Sequence, residues 1–459
     1  MTQQTSLDGR FEPAASLHPD CPDWRKLGPD PAQAAVRAMA HQVQGEAEAR
    51  TQAWSRGFSR RQLLAGGMGV GVMALGAQLV TSRVSFAAPG QQTGTLVVVF
   101  LRGGMDGLNM LVPVNDNLLQ DARPGIAVPS ASLIGLDSGF GLHPGLAPLQ
   151  DLISKKMFAA VPAIATPELT RSHFQAQDCL ERGGSAAGGN AGWLDRALQA
   201  MGEGTTFRSV SGTSSVPRSQ IGENATLGVR NLKDFRLRGP EVEAELTRAA
   251  LEKLYTGLDH PMSAQTLNAL VASDAAQSYS AADATPSERG YPDGNWGTAL
   301  ASIGTLIRHD AGVRVATVDL GGWDMHTGIG NAESGQFREM TNDLASGLAA
   351  FVADIGPKID QTTVLVMSEF GRRVEQNGSG GTDHGHGGVA MVMGGGVAGG
   401  VKGKWEGLSE ATVDRGDVPG TNDYRDLLSE VVVRRLGVSE GQLSTVFPDW
   451  NPTMLGVMR

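Results

Sequence analysis

The sequence predicts an α/β fold in which helices flank a mostly parallel central sheet. Five short apolar runs have the length and composition of strands, and they largely lack polar residues at alternate positions. Such runs are typical of strands that are buried on both faces, as in parallel sheets covered by helices. The five runs are residues 96–101, 157–164, 313–320, 363–367 and 389–393.

Helical patterns lie between these apolar runs, which supports the α/β class. Apolar residues recur at three- and four-residue intervals at residues 241–254 and 337–355, so we predict helices there. Residues 203–240 and 256–295 are richer in Ser, Gly, Thr and Pro and lack a strong period. We therefore expect these two segments to form a loop-rich insertion.

Residues 59–64 read Ser-Arg-Arg-Gln-Leu-Leu, which is typical of the start of a twin-arginine export signal. An uncharged stretch follows, and Ser-Phe-Ala-Ala at residues 85–88 is typical of a cleavage site. A transmembrane anchor is the alternative because residues 63–80 are long enough to span a bilayer, but five glycines and Gln78 make them weakly hydrophobic. We therefore expect export by the twin-arginine translocase, with a mature protein that is periplasmic or extracellular and has no stable membrane span.

The chain is predicted to consist of a leader extension at residues 1–58, a twin-arginine signal segment at residues 59–88 and an α/β domain at residues 89–459, with the insertion near residues 203–295. The formal net charge of −10 is concentrated in the domain, because the first 88 residues hold nine basic and seven acidic residues and the rest hold 29 and 41. This acidic excess argues against nucleic-acid binding. Of the two cysteines, only Cys179 lies in the domain, which excludes a disulfide framework there.

Polar residues follow most of the predicted strands, at the edge where open α/β sheets carry their sites. A glycine-rich turn with Asp106 and Asn109 follows the first run. The segment Thr-Arg-Ser-His-Phe follows the second run and places Thr170 or Ser172 at a helix start. The hydroxyl there is either a plain N-cap or, beside Arg171, a group that meets a phosphate-like anion.

Two further polar segments follow the third and fourth runs. Gly-Gly-Trp-Asp-Met-His places Asp324 and His326 two positions apart, and a carboxylate with an imidazole suits a divalent transition metal. Ser-Glu-Phe-Gly-Arg-Arg brings Glu369 and Arg372 to the same sheet edge. These two residues are equally compatible with a functional site and with a structural ion pair.

The densest polar cluster is Gly-Thr-Asp-His-Gly-His-Gly-Gly, directly ahead of the fifth run. It contains Asp383, His384 and His386. A single Asp-His pair most often only braces a loop, but two clusters of acid and imidazole groups on neighbouring strands favour a metal site.

The motifs GGMDGLN, TRSHF, GGWDMH, SEFGRR, GTDHGHGG and DYRDLL together resemble the domain of unknown function 1501 family, over roughly residues 92–450. That family is similar to the alkaline phosphatase and sulfatase superfamily, whose members hydrolyse phosphate or sulfate esters at a two-metal site. The resemblance implies an alkaline-phosphatase-like three-layer fold. It also implies divalent metal ions, with zinc, calcium and magnesium as candidates, and an anionic ester as substrate.

The resemblance implies a role for particular residues. Asp106 stands where the superfamily has its first metal-binding carboxylate, and Ser172 stands near a nucleophile that also touches metal. Arg171, Asn109 and Arg372 are then candidates to hold the oxygens of the ester. The implied metal ligands are Asp106, Ser172, Asp324, His326, Asp383, His384 and His386.

Three features depart from the superfamily pattern. The nucleophile segment lacks Cys-x-Pro-Ser-Arg, the spacing between Asp324 and His326 is tight, and no histidine follows His386. A usual late histidine ligand is therefore missing, so either His386 takes its place, or the chain binds one metal, or it is a binding protein that retains the fold. Two functions stay open. One is an exported metal-dependent hydrolase of phosphate or sulfate esters, and the other is a noncatalytic secreted binding protein that retains the fold.

Overall fold

The computed structural model describes residues 94–137, 139–184, 189–213, 215–236, 241–257, 261–281 and 283–459. The predicted leader extension and twin-arginine signal lie outside these residues. The strands are β1 (Thr95–Leu101), β2 (Leu111–Pro113), β3 (Ile134–Asp137), β4 (Phe140–Leu142), β5 (Phe158–Ala165), β6 (Ser209–Ser211), β7 (Leu227–Gly228), β8 (Val315–Leu320), β9 (Thr362–Met367), β10 (Arg372–Gln376), β11 (Thr382–His384), β12 (Gly388–Gly394), β13 (Gly400–Val401) and β14 (Asn422–Asp423). The α-helices are α1 (Gly107–Met110), α2 (Asn117–Ala122), α3 (Gln150–Ser154), α4 (His173–Glu181), α5 (Trp193–Ala200), α6 (Glu241–Tyr255), α7 (Pro261–Ala281), α8 (Asn295–Arg308), α9 (Gln336–Ile355), α10 (Tyr424–Val431) and α11 (Leu443–Val446).

A mixed, mostly parallel sheet forms the centre of the protein. Its strand order is β13-β5-β12-β9-β1-β8-β6-β7, and β14 also pairs with β5. Among the described strands of this sheet, β12 alone runs antiparallel to its neighbours. The five predicted runs correspond to β1, β5, β8, β9 and β12, so these predictions are confirmed.

Helices cover both faces of this sheet. Val97 and Val99 of β1 pack into one apolar core together with residues of α8 and α9. Leu96 and Val98 point to the opposite face and pack into a second core together with residues of α5 and α10. Burial on both faces explains why β1 has no polar residues at alternate positions. The predicted α/β class and the three-layer arrangement are confirmed.

The directions of the strands bring four chain segments to one edge of the sheet. Strands β8 and β9 pair with β1 in parallel, with Leu101 opposite Leu320 and Phe100 opposite Met367, so all three strands end together. Strand β12 is antiparallel and therefore begins at the edge where the other three end. The segments after β1, β8 and β9 consequently meet the segment that precedes β12.

The insertion contains more helix than the sequence patterns indicate. The predicted helices at residues 241–254 and 337–355 correspond to α6 and α9. Helix α7, however, occupies Pro261–Ala281, within the segment where the sequence predicts loops. This segment contains six alanines, which favour helix without producing an apolar period. In the described residues, no helix combines the length and apolar character needed to cross a membrane.

Candidate metal centre

The carboxylate of Asp324, in the loop after β8, is surrounded by three buried histidines. Its Oδ1 lies 2.9 Å from Nε2 of His326 and 3.1 Å from Nε2 of His384. Its Oδ2 lies 3.5 Å from Nε2 of His173. His326 follows β8, His384 ends β11 and His173 begins α4, so the cluster depends on the tertiary fold.

Each of these histidines turns Nε2 toward Asp324 and Nδ1 toward a hydrogen-bond acceptor. The Nδ1 acceptors of His173, His326 and His384 are, in that order, Oε1 of Glu369 at 2.8 Å, Oδ1 of Asp383 at 3.2 Å and the carbonyl oxygen of Arg171 at 2.8 Å. These acceptors place the ring hydrogen of a neutral imidazole on Nδ1, which leaves a lone pair on Nε2. The three Nε2 lone pairs therefore converge on one carboxylate, an arrangement typical of metal-ligating histidines.

The ligand atoms are close enough to share one ion. Nε2 of His326 and Nε2 of His384 are 3.1 Å apart, and each lies at a similar distance from Oδ1 of Asp324. Atoms that bind one zinc ion at about 2.1 Å lie roughly 3 to 3.5 Å from one another. With the ring hydrogens on Nδ1, neither ring donates across this gap, and Nη1 of Arg372 lies 3.3 Å from Nε2 of His326. A cation between the two rings would meet both lone pairs.

The charges of the cluster favour a divalent ion. The carboxylates of Asp324, Glu369 and Asp383 contact the histidines, and the guanidinium of Arg372 contacts Asp324. With neutral histidines, three negative charges and one positive charge leave a net charge of −2. A divalent cation would bring this group to neutrality, which would remove the cost of uncompensated charge on its buried members Asp324 and Glu369.

The carboxylates are held in their ionised form. Burial raises the pKa of Asp324, but the guanidinium of Arg372, whose Nη2 donates to Oδ1 at 2.7 Å, acts against burial and holds the pKa below its usual value. Burial likewise opposes ionisation of Glu369, but the contacts with His173 and Gln177 lower its pKa to about 2.

The side chain of Arg372 connects the cluster to neighbouring backbone segments. Its Nε donates to the carbonyl oxygen of Gly104 at 2.5 Å, and its Nη1 donates to that of Thr382 at 2.7 Å. Its Nη2 donates to the carbonyl oxygen of Gly103 at 2.5 Å and to Oδ1 of Asp324 at 2.7 Å. One side chain thus ties together the segments that follow β1 and β8 and the start of β11.

Comparison with protein families gives a match over more than half of the chain. A family described as "Protein of unknown function (DUF1501)" matches residues 153–442. The chain belongs to this family.

Two further comparisons describe this DUF1501 chain. Comparison with curated proteins gives no match. Among solved structures, the chain is similar to the integral membrane protein lipooligosaccharide phosphoethanolamine transferase A from Neisseria meningitidis, with 9% sequence identity and a TM-score of 0.35. That similarity covers 94% of this chain and 72% of the transferase.

The first motif of the DUF1501 chain contributes a buried ion pair. Nη1 of Arg123 donates to both carboxylate oxygens of Asp106 at 2.9 Å and to Oδ1 of Asn109 at 3.0 Å. Thr382 donates its hydroxyl hydrogen to Oδ2 of Asp106 at 3.0 Å. Asp106 also caps α1, and Asn109 lies inside that helix instead of in the predicted turn. The structure thus places Asp106 and Asn109 with Arg123, whose guanidinium supplies the positive charge.

The second motif begins α4 as the sequence predicts. Ser172 is the N-cap of α4, and its side chain makes no capping hydrogen bond. Thr170 donates its hydroxyl hydrogen to Oε1 of Gln175 at 2.8 Å. The guanidinium of Arg171 forms an ion pair with Asp417, at 2.7 Å between Nη2 and Oδ2. Ser172 is therefore the hydroxyl at the helix start.

The last predicted cluster divides between the centre and its surroundings. His384 is buried in the centre, whereas Asp383 contacts His326 and leaves 49% of its side chain exposed. His386 is partly buried, and burial lowers its pKa against the opposing charges of Asp417 and Asp414. Asp383 therefore orients a histidine and links the centre to solvent.

The sequence patterns did not single out His173. It lies in the TRSHF motif, one position after Ser172, and its ligand atom lies within 4.8 Å of those of Asp324 and His384. Its position could have indicated a role in the site, because a histidine that begins a helix after β5 lies at the same sheet edge as the other clusters. Arg123 was missed as well, because no nearby motif marks it as the partner of Asp106.

Proposed function

We propose that this protein is an exported metal-dependent hydrolase of phosphate or sulfate esters, with Asp324, His326 and His384 as ligands of its metal. The observation that carries the proposal is the orientation of the histidines. Each Nδ1 is held by an acceptor, and each Nε2 is directed at the carboxylate of Asp324. Hydrolysis and the ester class come from the resemblance of the motifs.

The ligand set favours zinc over the other candidate ions. Zinc binds imidazole nitrogen and carboxylate oxygen, usually with four ligands. Calcium and magnesium prefer sets made of oxygen atoms. Two histidines and one aspartate thus fit zinc or a similar transition metal.

The chain's own residues supply the remaining functions. When bound, a divalent ion would act as a Lewis acid that compensates negative charge and lowers the pKa of a hydroxyl or water. Ser172 is the candidate nucleophile because its hydroxyl is not used as a helix cap. Asp383 and the carbonyl group of Arg171 orient the two histidines.

A noncatalytic secreted binding protein is the second candidate, and one observation favours it. The three side chains predicted to hold ester oxygens are all engaged with protein groups. Arg171 pairs with Asp417, Asn109 accepts a hydrogen bond from Arg123, and Arg372 donates through all three of its nitrogens.

Metal analysis of the natively exported protein tests the metal site. We expect near-stoichiometric zinc in the wild type and in a His309→Ala control, where the changed histidine is exposed. We expect little zinc in His384→Ala. Native protein without metal would overturn the proposal.

A screen of phosphate and sulfate esters then separates the two candidates. Hydrolysis that is lost in Ser172→Ala, with metal retained, supports the hydrolase. Bound metal without hydrolysis of any ester supports the binding protein. Export is tested separately by replacing both arginines of residues 59–64 with lysine, which we expect to retain the protein in the cytoplasm.

A further inference from the structure

Glu369 is a buried carboxylate that lies beside the metal centre without contacting Asp324. It follows β9, and its Oε1 accepts hydrogen bonds from the backbone N–H of Gly103 at 2.9 Å, from Nδ1 of His173 at 2.8 Å and from Nε2 of Gln177 at 2.8 Å. Its Oε2 accepts a hydrogen bond from the hydroxyl of Ser368 at 3.0 Å. The carboxylate is therefore fully held in one orientation.

The carboxylate of Glu369 is paired with a histidine. Its ion-pair partner in the described residues is His173, with no arginine or lysine beside it. A buried carboxylate is costly unless its charge is used or compensated. A carboxylate that accepts from Nδ1 fixes the ring orientation and makes Nε2 a stronger metal ligand.

The ring of His173 is positioned so that the lone pair of its Nε2 can bind the ion. Its Nε2 lies 3.5 Å from Oδ2 of Asp324, and both side chains are buried. The ring also packs at 4.8 Å from that of Phe370 and at 4.4 Å from that of His384, measured between ring centres. Packing and hydrogen bonding thus aim Nε2 at Oδ2 of Asp324.

We propose that His173 is a further ligand of the ion and that Glu369 is the residue that positions it. The inference rests on the proposed metal site and adds a ligand and a positioning residue to it. Glu369 acts through His173 and does not touch the ion. The opposing explanation is that Glu369 and His173 only fasten the start of α4 to the loop after β9.

Zinc affinity of the stripped and reloaded protein, measured by competition with a chromogenic chelator, distinguishes these explanations. Glu369→Gln keeps the shape and the acceptor oxygen but removes the charge, so we expect zinc to bind about ten- to hundredfold more weakly. Glu430→Gln is the matched control because Glu430 is also buried but binds backbone N–H groups near the C-terminus. We expect it to change the unfolding midpoint and leave zinc affinity unchanged.

A double-mutant cycle tests whether Glu369 acts through His173. We expect His173→Ala to weaken zinc binding and to change the visible spectrum of the cobalt-substituted protein, because one nitrogen ligand is lost. Glu369→Gln should then have no further effect in the His173→Ala background. An equal effect of Glu369→Gln in both backgrounds, or wild-type affinity in either single variant, would overturn the inference.

The proposal of a metal site and the inference about His173 and Glu369 can be rejected separately. Loss of zinc in His384→Ala with full affinity in His173→Ala and Glu369→Gln would reject only the roles of His173 and Glu369. No zinc binding by the wild-type protein would reject both proposals.

Discussion

Replacement of Arg123 by methionine should strongly destabilise the domain. The side chain of Arg123 is completely buried. Besides its contacts with Asp106, its Nε donates to the carbonyl oxygen of Val374 at 2.7 Å and its Nη2 to that of Arg373 at 2.8 Å. Methionine fills a similar volume but leaves a buried carboxylate without its cation.

The size of the effect follows from these contacts. Removing one partner of a buried ion pair costs about 3–5 kcal/mol, because the other charge stays buried. Each buried carbonyl that loses its donor adds about 1–3 kcal/mol. We therefore expect Arg123→Met to lower the free energy of unfolding by at least about 4 kcal/mol. Adding Asp106→Asn should restore part of this loss, because it removes the uncompensated charge.

Urea unfolding followed by far-UV circular dichroism measures these differences. Arg415→Met is the control, since the side chain of Arg415 is 92% exposed and should change stability by less than about 0.5 kcal/mol. Arg123→Met with the stability of the wild type would refute this reasoning. Loss of bound metal in Asp106→Asn at unchanged stability would instead identify Asp106 as a metal ligand, as the sequence resemblance implies.

Three further predictions concern other parts of the domain. Glu430→Ala should destabilise it by about 2–4 kcal/mol in urea unfolding, because three backbone N–H groups lose a charged acceptor. Gly103→Ala should lower both stability and zinc content, because Gly103 has φ of 122° and an added Cβ would lie 2.4 Å from the backbone nitrogen of Asp324. Burial and the charge of Arg338 lower the pKa of His143 to about 4. Between pH 4 and about pH 6.5, the unfolded chain therefore binds more protons than the folded protein. The free energy of unfolding should fall by up to about 3 kcal/mol as the pH falls through this window. In a pH series of urea unfolding, His143→Asn should lose this component, since Asn can still accept the N–H of residue 145.

Each of these predictions has an outcome that contradicts it. Wild-type stability of Glu430→Ala would show that water replaces the carboxylate. For Gly103→Ala the control is Gly321→Ala, where an added Cβ meets open space, and equal zinc loss in both variants would refute the steric argument. Identical pH dependence of the wild type and His143→Asn would show that His143 does not contribute to acid sensitivity.

The sequence predicted the parts of the centre that depend on strand ends. Strands buried on both faces appear as unbroken apolar runs, so the positions of β1, β8, β9 and β12 could be read directly. Asp324 and His326 follow one of these runs, and the structure brings them into contact. The cluster before β12 reaches the same edge because that strand is antiparallel. Its direction could not be deduced from an apolar run, yet it decides that His384 meets Asp324.

The remaining site residues depend on contacts that no local pattern encodes. His173 and Glu369 are 196 positions apart, and their hydrogen bond forms only after α4 packs against the loop that follows β9. The partner of Asp106 was also hidden, because an isolated arginine in a polar segment looks like an ordinary surface residue. Charge compensation at that carboxylate therefore had two possible sources, a metal or a guanidinium, and the sequence indicated only the first.

The charges around the centre determine the order in which an ion and an anionic ester could bind. Without an ion, the cluster of Asp324, Glu369, Asp383 and Arg372 carries a net charge of −2, which repels an anion. The half-exposed guanidinium of Arg171 is already paired with Asp417, and the donors of Arg372 are used within the protein. A divalent ion would bring the net charge of the cluster to zero and so remove this repulsion. Under the proposed function, we therefore expect the ion to bind before an anionic ester.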